Sequence, residues 1–249
     1  MSALGLEFYK CRRRKIFLVG LALILAQVFW VGVSIVRMDG EDLRQGWMWL
    51  LYQLAMLDSI MLPLATAVIT SRNCELEHKG NTMKLLETLT TPARLYNAKL
   101  AWGAILLAGL LILRTLLFLT IGYYKNFGGA IPWSEYARFT LVSWCVSMML
   151  YLLQQGLSLR FAGQAVPLIV GLAGSFLGLM GLFFPVGVQR LLPWSYYGLL
   201  SFVEMHWDEA THVTEFFWRQ PSALDVCCFL AWTLAFLVIG RTIFVRKEV

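Results

Sequence analysis

The chain has 249 residues, 59% of them hydrophobic and only 14% charged, with a mean hydropathy of +0.66. Soluble domains carry about 25% charged residues, so this composition excludes a protein with water on every side and leaves one embedded in a membrane. The net charge of +6 then bears on which side of a bilayer holds the positive residues, and gives no ground for nucleic-acid binding.

A bilayer core takes about 20 apolar helical residues. Six runs meet that need in chain order: 16–36, 47–70, 98–124, 136–159, 164–184 and 224–245. The expected fold is all-α, a polytopic membrane protein with six transmembrane helices in a single domain over 1–249. The first run is too long for the apolar core of a signal peptide, and no small-residue cleavage site follows it. With the amino terminus inside, fourteen Lys and Arg fall in cytoplasmic segments and six in external ones, while nine acids lie outside and five inside. The positive-inside rule thus puts both termini in the cytoplasm. Three segments outside the spans stand apart: a basic stretch over 1–15, a cytoplasmic connection over 71–97, and an external one over 185–223.

Two charges fall within spans. Asp58 is eleven residues past Trp47, and Arg114 is ten before Tyr124. At 1.5 Å rise per residue both sit roughly 15 Å from the outer face. A lone charge there costs a few kcal/mol, so pairing between the two helices is expected, as a brace or as part of a substrate path. Gln154 and Gln155 are further candidates for contacts between helices. Gly171, Gly174, Gly178 and Gly181 mark a close-packing face on the fifth span. The external segment holds Trp194, Tyr196, Tyr197, Trp207, Phe216, Phe217 and Trp218, as an interface belt or a substrate lip.

Chemistry of the enzymatic kind finds no support. His78, His206 and His212 all lie in connections, which leaves no Ser–His dyad among the spans. No HExxH zinc motif occurs, and the five cysteines show neither CxxC nor Cys/His metal spacing. No catalytic residue and no metal ligand is therefore assigned. A secondary transporter is the alternative, but such folds show inverted repeats and broken helices about an ion site. Here no repeat is visible and Asp58 is the only acid at that depth.

The cytoplasmic connection reads SRNCELEHKGNTMKLLETLTTPARLYNAK. Two acids, Glu75 and Glu77, precede a turn signal at Gly80-Asn81. A short amphipathic helix follows, with Asn81 placed to cap it and Met83, Leu85, Leu86 and Leu89 apolar. Thr91-Pro92 restarts a helix, with Pro at a favoured first position. The stretch from Glu75 to Leu86, followed by Thr91-Pro92, resembles that of ABC-2 type transporter permeases, and within them the lantibiotic-immunity and bacitracin-resistance branch. The resemblance covers the whole chain in topology and about thirty residues in motif.

It implies that Glu75, Glu77, Met83, Leu85, Leu86 and Leu89 couple to a separate ABC ATPase subunit, which binds ATP and Mg. No GxxxxGK[ST] motif is present in this chain, so no cofactor is expected on it. It further implies a second permease chain (the same or a sister), membrane lipid as a partner, export of an amphipathic peptide, and a place in the bacterial cytoplasmic membrane. The basic stretch ending in Lys15 would be an interfacial helix suited to anionic lipid, and the external segment would hold a short re-entrant or interfacial hairpin.

Overall fold

The computed structural model describes residues 5, 7–9, 16–38, 40, 42–79, 91–161, 163–208 and 213–245. Residues 7–9 are helical. Helix α1 is Ile16–Val36, and a 3-10 turn at Asp42–Gln45 leads into α2, Gly46–Lys79. Then come α3 (Pro92–Tyr124), α4 (Trp133–Arg160) and α5 (Ala165–Gly181). A compact excursion follows: α6 (Val186–Leu191), a 3-10 turn (Pro193–Ser195), α7 (Tyr196–Leu199) and strands β1 (Val203–Asp208) and β2 (Val213–Trp218). The last helix is α8, Ala223–Val245. Five of these helices, α1, α2, α3, α4 and α8, are long and apolar enough to cross a membrane; α5 is apolar but has 17 residues.

Helix α2 is the centre of the bundle, with α1, α3, α4 and α5 packed around it. Burial follows: 72% of its apolar window is inside the molecule, against 28% for α1 and 17% for α8. On α1 the buried residues Ile16, Gly20, Ile24, Gln27, Val31 and Ile35 form one stripe at three- and four-residue spacing, while Phe29 and Trp30 face outward. A helix with one narrow buried stripe and apolar residues elsewhere suits lipid.

The helix α5 packs on α2 through the glycine face. Pro63 inside α2 has no N–H to give the Ser59 carbonyl. A Cβ at Gly178 would lie 2.6 Å from that Ser59 oxygen and 2.9 Å from the Trp194 carbonyl oxygen, so only a glycine lets the two backbones meet. The stripe Gly171, Gly174 and Gly178 thus lies against α2 and Trp194.

Two expectations need correction. The helix of the second apolar run does not end at 70: it runs on through Lys79, while α3 begins at Pro92, where Thr91-Pro92 is expected to restart a helix, after an extended Thr91 (φ −68°, ψ 143°). Polar residues such as Ser71 and Asn73 mark where an apolar run ends, and a helix does not have to end there. The short amphipathic helix expected from Asn81 lies outside the described residues. Finally, the fold is not purely α. Strands β1 and β2 pair antiparallel, Met205 opposite Phe216 and His206 opposite Glu215, because Val, Met, Trp, Thr and Phe recur at alternate positions.

The excursion is fastened at both ends. The Gln45 side-chain oxygen accepts from Phe216 N–H (2.9 Å), and Arg190 Nε donates to Asp225 Oδ1 on α8 (2.7 Å). Tyr196 Oη and Trp232 Nε1 both donate to the Arg190 carbonyl, at 2.9 and 3.1 Å. Beneath the hairpin, Trp47 meets Phe127 and Tyr136 edge-on at 5.2 and 5.9 Å.

Candidate functional site

Four helices each send one polar side chain to a single point in the middle of the bundle. Asp58 on α2 and Arg114 on α3 form an ion pair, both fully buried. Gln27 on α1 donates from Nε2 to Asp58 Oδ1 (3.1 Å), and Ser143 on α4 donates from Oγ to Asp58 Oδ2 (3.0 Å). Both carboxylate oxygens are thereby satisfied, which a buried charge requires. The Arg114 guanidinium also stands 5.7 Å from the Phe139 ring centroid, within reach of a cation–π contact. Its Nε and Nη2 and the Gln27 Oε1 have no acceptor or donor among the described residues.

A polar file leads from this point along α4, away from the hairpin, to helix α7 of the excursion. Ser147, one turn beyond Ser143 on α4, donates to the Ser143 carbonyl (2.7 Å), and its Oγ shares a hydrogen bond with Tyr197 Oη (2.9 Å). The i, i+4 spacing of the two serines puts both on one face of α4. Thus a residue of the excursion, Tyr197, is linked through α4 to the charge pair.

The two glutamines of α4 go elsewhere. Gln154, with its amide oriented to satisfy both atoms, donates to the Pro167 carbonyl (3.0 Å) and accepts from Gly171 N–H (3.3 Å). It therefore binds the start of α5. Gln155 Nε2 donates to the Tyr96 carbonyl at the base of α3 (3.0 Å). Asp58 and Arg114 are brought together, while Gln154 and Gln155 are separate ties between helices.

A second buried cluster occupies the amino-terminal end. Lys99 Nζ on α3 donates to Glu7 Oε2 (3.0 Å) and to the Asn73 carbonyl on α2 (3.2 Å). Asn73 Nδ2 donates to Tyr151 Oη on α4 (3.1 Å), which in turn donates to the Lys99 carbonyl (3.3 Å). Glu7, Asn73, Lys99 and Tyr151 are all buried. This cluster sits where α2 and α3 leave for the 80–90 connection, and it ties the amino-terminal segment to both.

Of the residues expected to couple to an ATPase, Glu75 lies half-buried near the end of α2. Glu77 is on the last turn of α2, but its side chain is outside the described set, as are Met83, Leu85, Leu86 and Leu89. The partners Gln27, Ser143, Ser147 and Tyr197, and the whole Glu7 cluster, do not emerge from the sequence reading. A signal existed for two of them: Gln27 is the one amide in the first apolar run, and Ser143 and Ser147 share helical spacing.

Both clusters join neighbouring helices through buried, hydrogen-bonded charges. A family model described as ABC-2 family transporter protein matches residues 3–178, more than two thirds of the chain, and takes in every residue of both clusters except Tyr197. No curated protein matches the chain closely enough to count as a relative.

Proposed function

The chain belongs to the ABC-2 family of transporter proteins, and from that premise we propose that it is the permease subunit of an ATP-driven exporter of amphipathic compounds, with lantibiotic-type peptides as the cargo class. The family match over α1 to α5 is the observation that carries this reading. The given sequence contains no P-loop, which supports ATP and Mg lying on a separate ABC ATPase subunit. All six apolar runs are read as spans, with α5 the shortest, and both termini in the cytoplasm by the positive-inside count. The hairpin end is then external, and the 80–91 connection faces the ATPase. A second permease chain, identical or sister, completes the transporter in a bacterial cytoplasmic membrane.

In this scheme the ATPase pushes on the 80–91 connection. The Glu7–Lys99–Asn73–Tyr151 cluster joins α2, α3 and α4 within two turns of the α2 and α3 ends and makes those ends move as one body. The Asp58–Arg114 pair holds the same helices together at mid-depth, so displacement at the base reaches the external excursion through Ser143, Ser147 and Tyr197.

The test has two parts. The purified chain in nanodiscs should hydrolyse no ATP above background, and an ABC ATPase should co-purify with it from its native host. Vesicles holding the complex should then move a fluorescent lantibiotic-type peptide in an ATP-dependent manner. Robust hydrolysis by the isolated chain sinks the reading.

A further inference from the structure

We propose that the cavity under the external hairpin is a binding site for a single-chain amphipath of the outer leaflet, one with a hydrocarbon or aromatic body and a head bearing both charges. The proposal rests on the orientation and export reading given above.

The cavity, about 680 Å³, lies between α1, the 3-10 turn, α2 and the hairpin. That is within the range of about 300–1,000 Å³ in which small ligands bury most of their surface. Its body is aromatic: Phe29 and Trp30 on α1, Trp49 and Tyr52 on α2, and Phe216 on β2. Phe29 and Trp30 are 74% and 59% exposed, and on a helix read as a membrane span that exposure is toward lipid. The site therefore opens sideways into the bilayer, so its occupant arrives from the membrane.

The hairpin roofs it. Alternation along the strands puts Met205 and Phe216 on one face and Glu204, His206, Glu215 and Phe217 on the other. The first face meets the cavity, where Met205, Thr214 and Phe216 contribute to the lining. Phe216 packs on Tyr52 with ring centroids 5.7 Å apart and is fixed by the Gln45 bond to its N–H. The roof is thus held rigidly over the aromatic wall.

The polar groups specify the head. Arg37 and Asp42 line the cavity near the external end of α1 and the 3-10 turn, and Gln53 adds an amide. A second, smaller hollow of about 190 Å³ shares Tyr52 and Met205 as its wall and holds Arg219, Glu204 and Gln189. Among the described residues each hollow is lined by one cation and one anion. A bare anion or a bare cation would meet a like charge in each, whereas a zwitterionic head meets an opposite charge on both sides. Aromatic rings beside such a head also favour a quaternary ammonium.

The full-length chain in nanodiscs, with no ATPase, is titrated with a lysophosphatidylcholine carrying a diazirine in its acyl chain, irradiated and mapped by mass spectrometry. Saturable labelling of α1 and α2 around Trp30 and Trp49 and of β2 around Phe216 is expected, displaced by unlabelled lysophosphatidylcholine. The anionic lysophosphatidylglycerol should compete about tenfold less well. Val33→Trp, which fills the lateral mouth from a lipid-exposed position, should weaken half-saturation about tenfold. A Leu141→Trp control in the α3–α4 groove should not. Because a Trp49→Ala variant could lose its fold, the mouth variant and the competition in the native chain carry the decision. Labelling that fails to saturate and spreads over the exposed faces of α3 and α8 overturns the site. Equal competition by the two head groups overturns the zwitterion assignment, and displacement by an amphipathic peptide alone overturns the lipid-like occupant. No outcome depends on ATP, so failure here leaves the export reading to the vesicle assay, and failure there leaves this site standing.

Discussion

Asp58 carries the largest electrostatic risk in the bundle, and Arg114, Gln27 and Ser143 together remove it. Deleting one member of a buried pair strands the other and costs about 3–5 kcal/mol. Asp58→Asn and Arg114→Gln should each lower the thermal midpoint in detergent by that order. The double variant should regain part of the loss, since it strands no charge, and strictly additive losses in the cycle would count against the pairing. The same logic applies at the other end: Glu7→Gln and Lys99→Met should couple in a cycle, because their atoms meet at 3.0 Å in a buried site. Depth was legible from the sequence for Asp58 and Arg114, because counting from span ends gives height along a helix. Rotation was not, which is why Gln27 and Ser143 could not be named as their partners. Lys99 was misleading for a related reason. Its charge counts toward orientation like any other, and only the fold shows that Glu7 draws it into the interior.

Helix α5 tests packing at the level of an element. Gly178→Ala pushes a methyl group against two carbonyl oxygens, of Ser59 and Trp194, and backbone has little room to yield. A loss on the order of 1–3 kcal/mol is expected, read as a lower unfolding midpoint. Gly109→Ala on α3, where a Cβ meets nothing within 4 Å, should be neutral or slightly stabilising. The glycine spacing announced a close-packing face, but α2 as its partner depends on Pro63 freeing the Ser59 carbonyl, which is a relation between distant residues. In the excursion the aromatic residues read as an interface belt or a substrate lip. The alternation that makes two strands was present in Val203–Asp208, yet six residues between two long helical runs carry a weak period beside the apolar signal around them. At the 80–91 connection, Leu86→Asp should abolish co-purification of the ATPase while leaving membrane insertion intact. Unchanged ATPase recovery and transport in that variant would remove Leu86 from the coupling surface.

At the scale of the molecule, apolar run length places the helices well and their ends poorly. Helices α2 and α3 have 34 and 33 residues, about 50 Å each, so they stand well clear of a hydrocarbon core of about 30 Å. Both extend past their apolar runs at the end that carries Glu7. Helix α5 departs in the opposite direction. Its 17 residues rise about 26 Å, a few ångströms less than the hydrocarbon thickness. Read as a span, as proposed above, it would oblige the lipid beside it to thin to match, at fractions of a kcal/mol per Å of mismatch. The chain should therefore be most stable in vesicles of short-chain phospholipid and lose midpoint steadily as acyl length grows. On the export reading proposed above, a local dimple of this kind would shorten the distance that a membrane-borne cargo must climb to leave the leaflet, which makes bilayer thickness a control on the transport rate to be measured in the same vesicles.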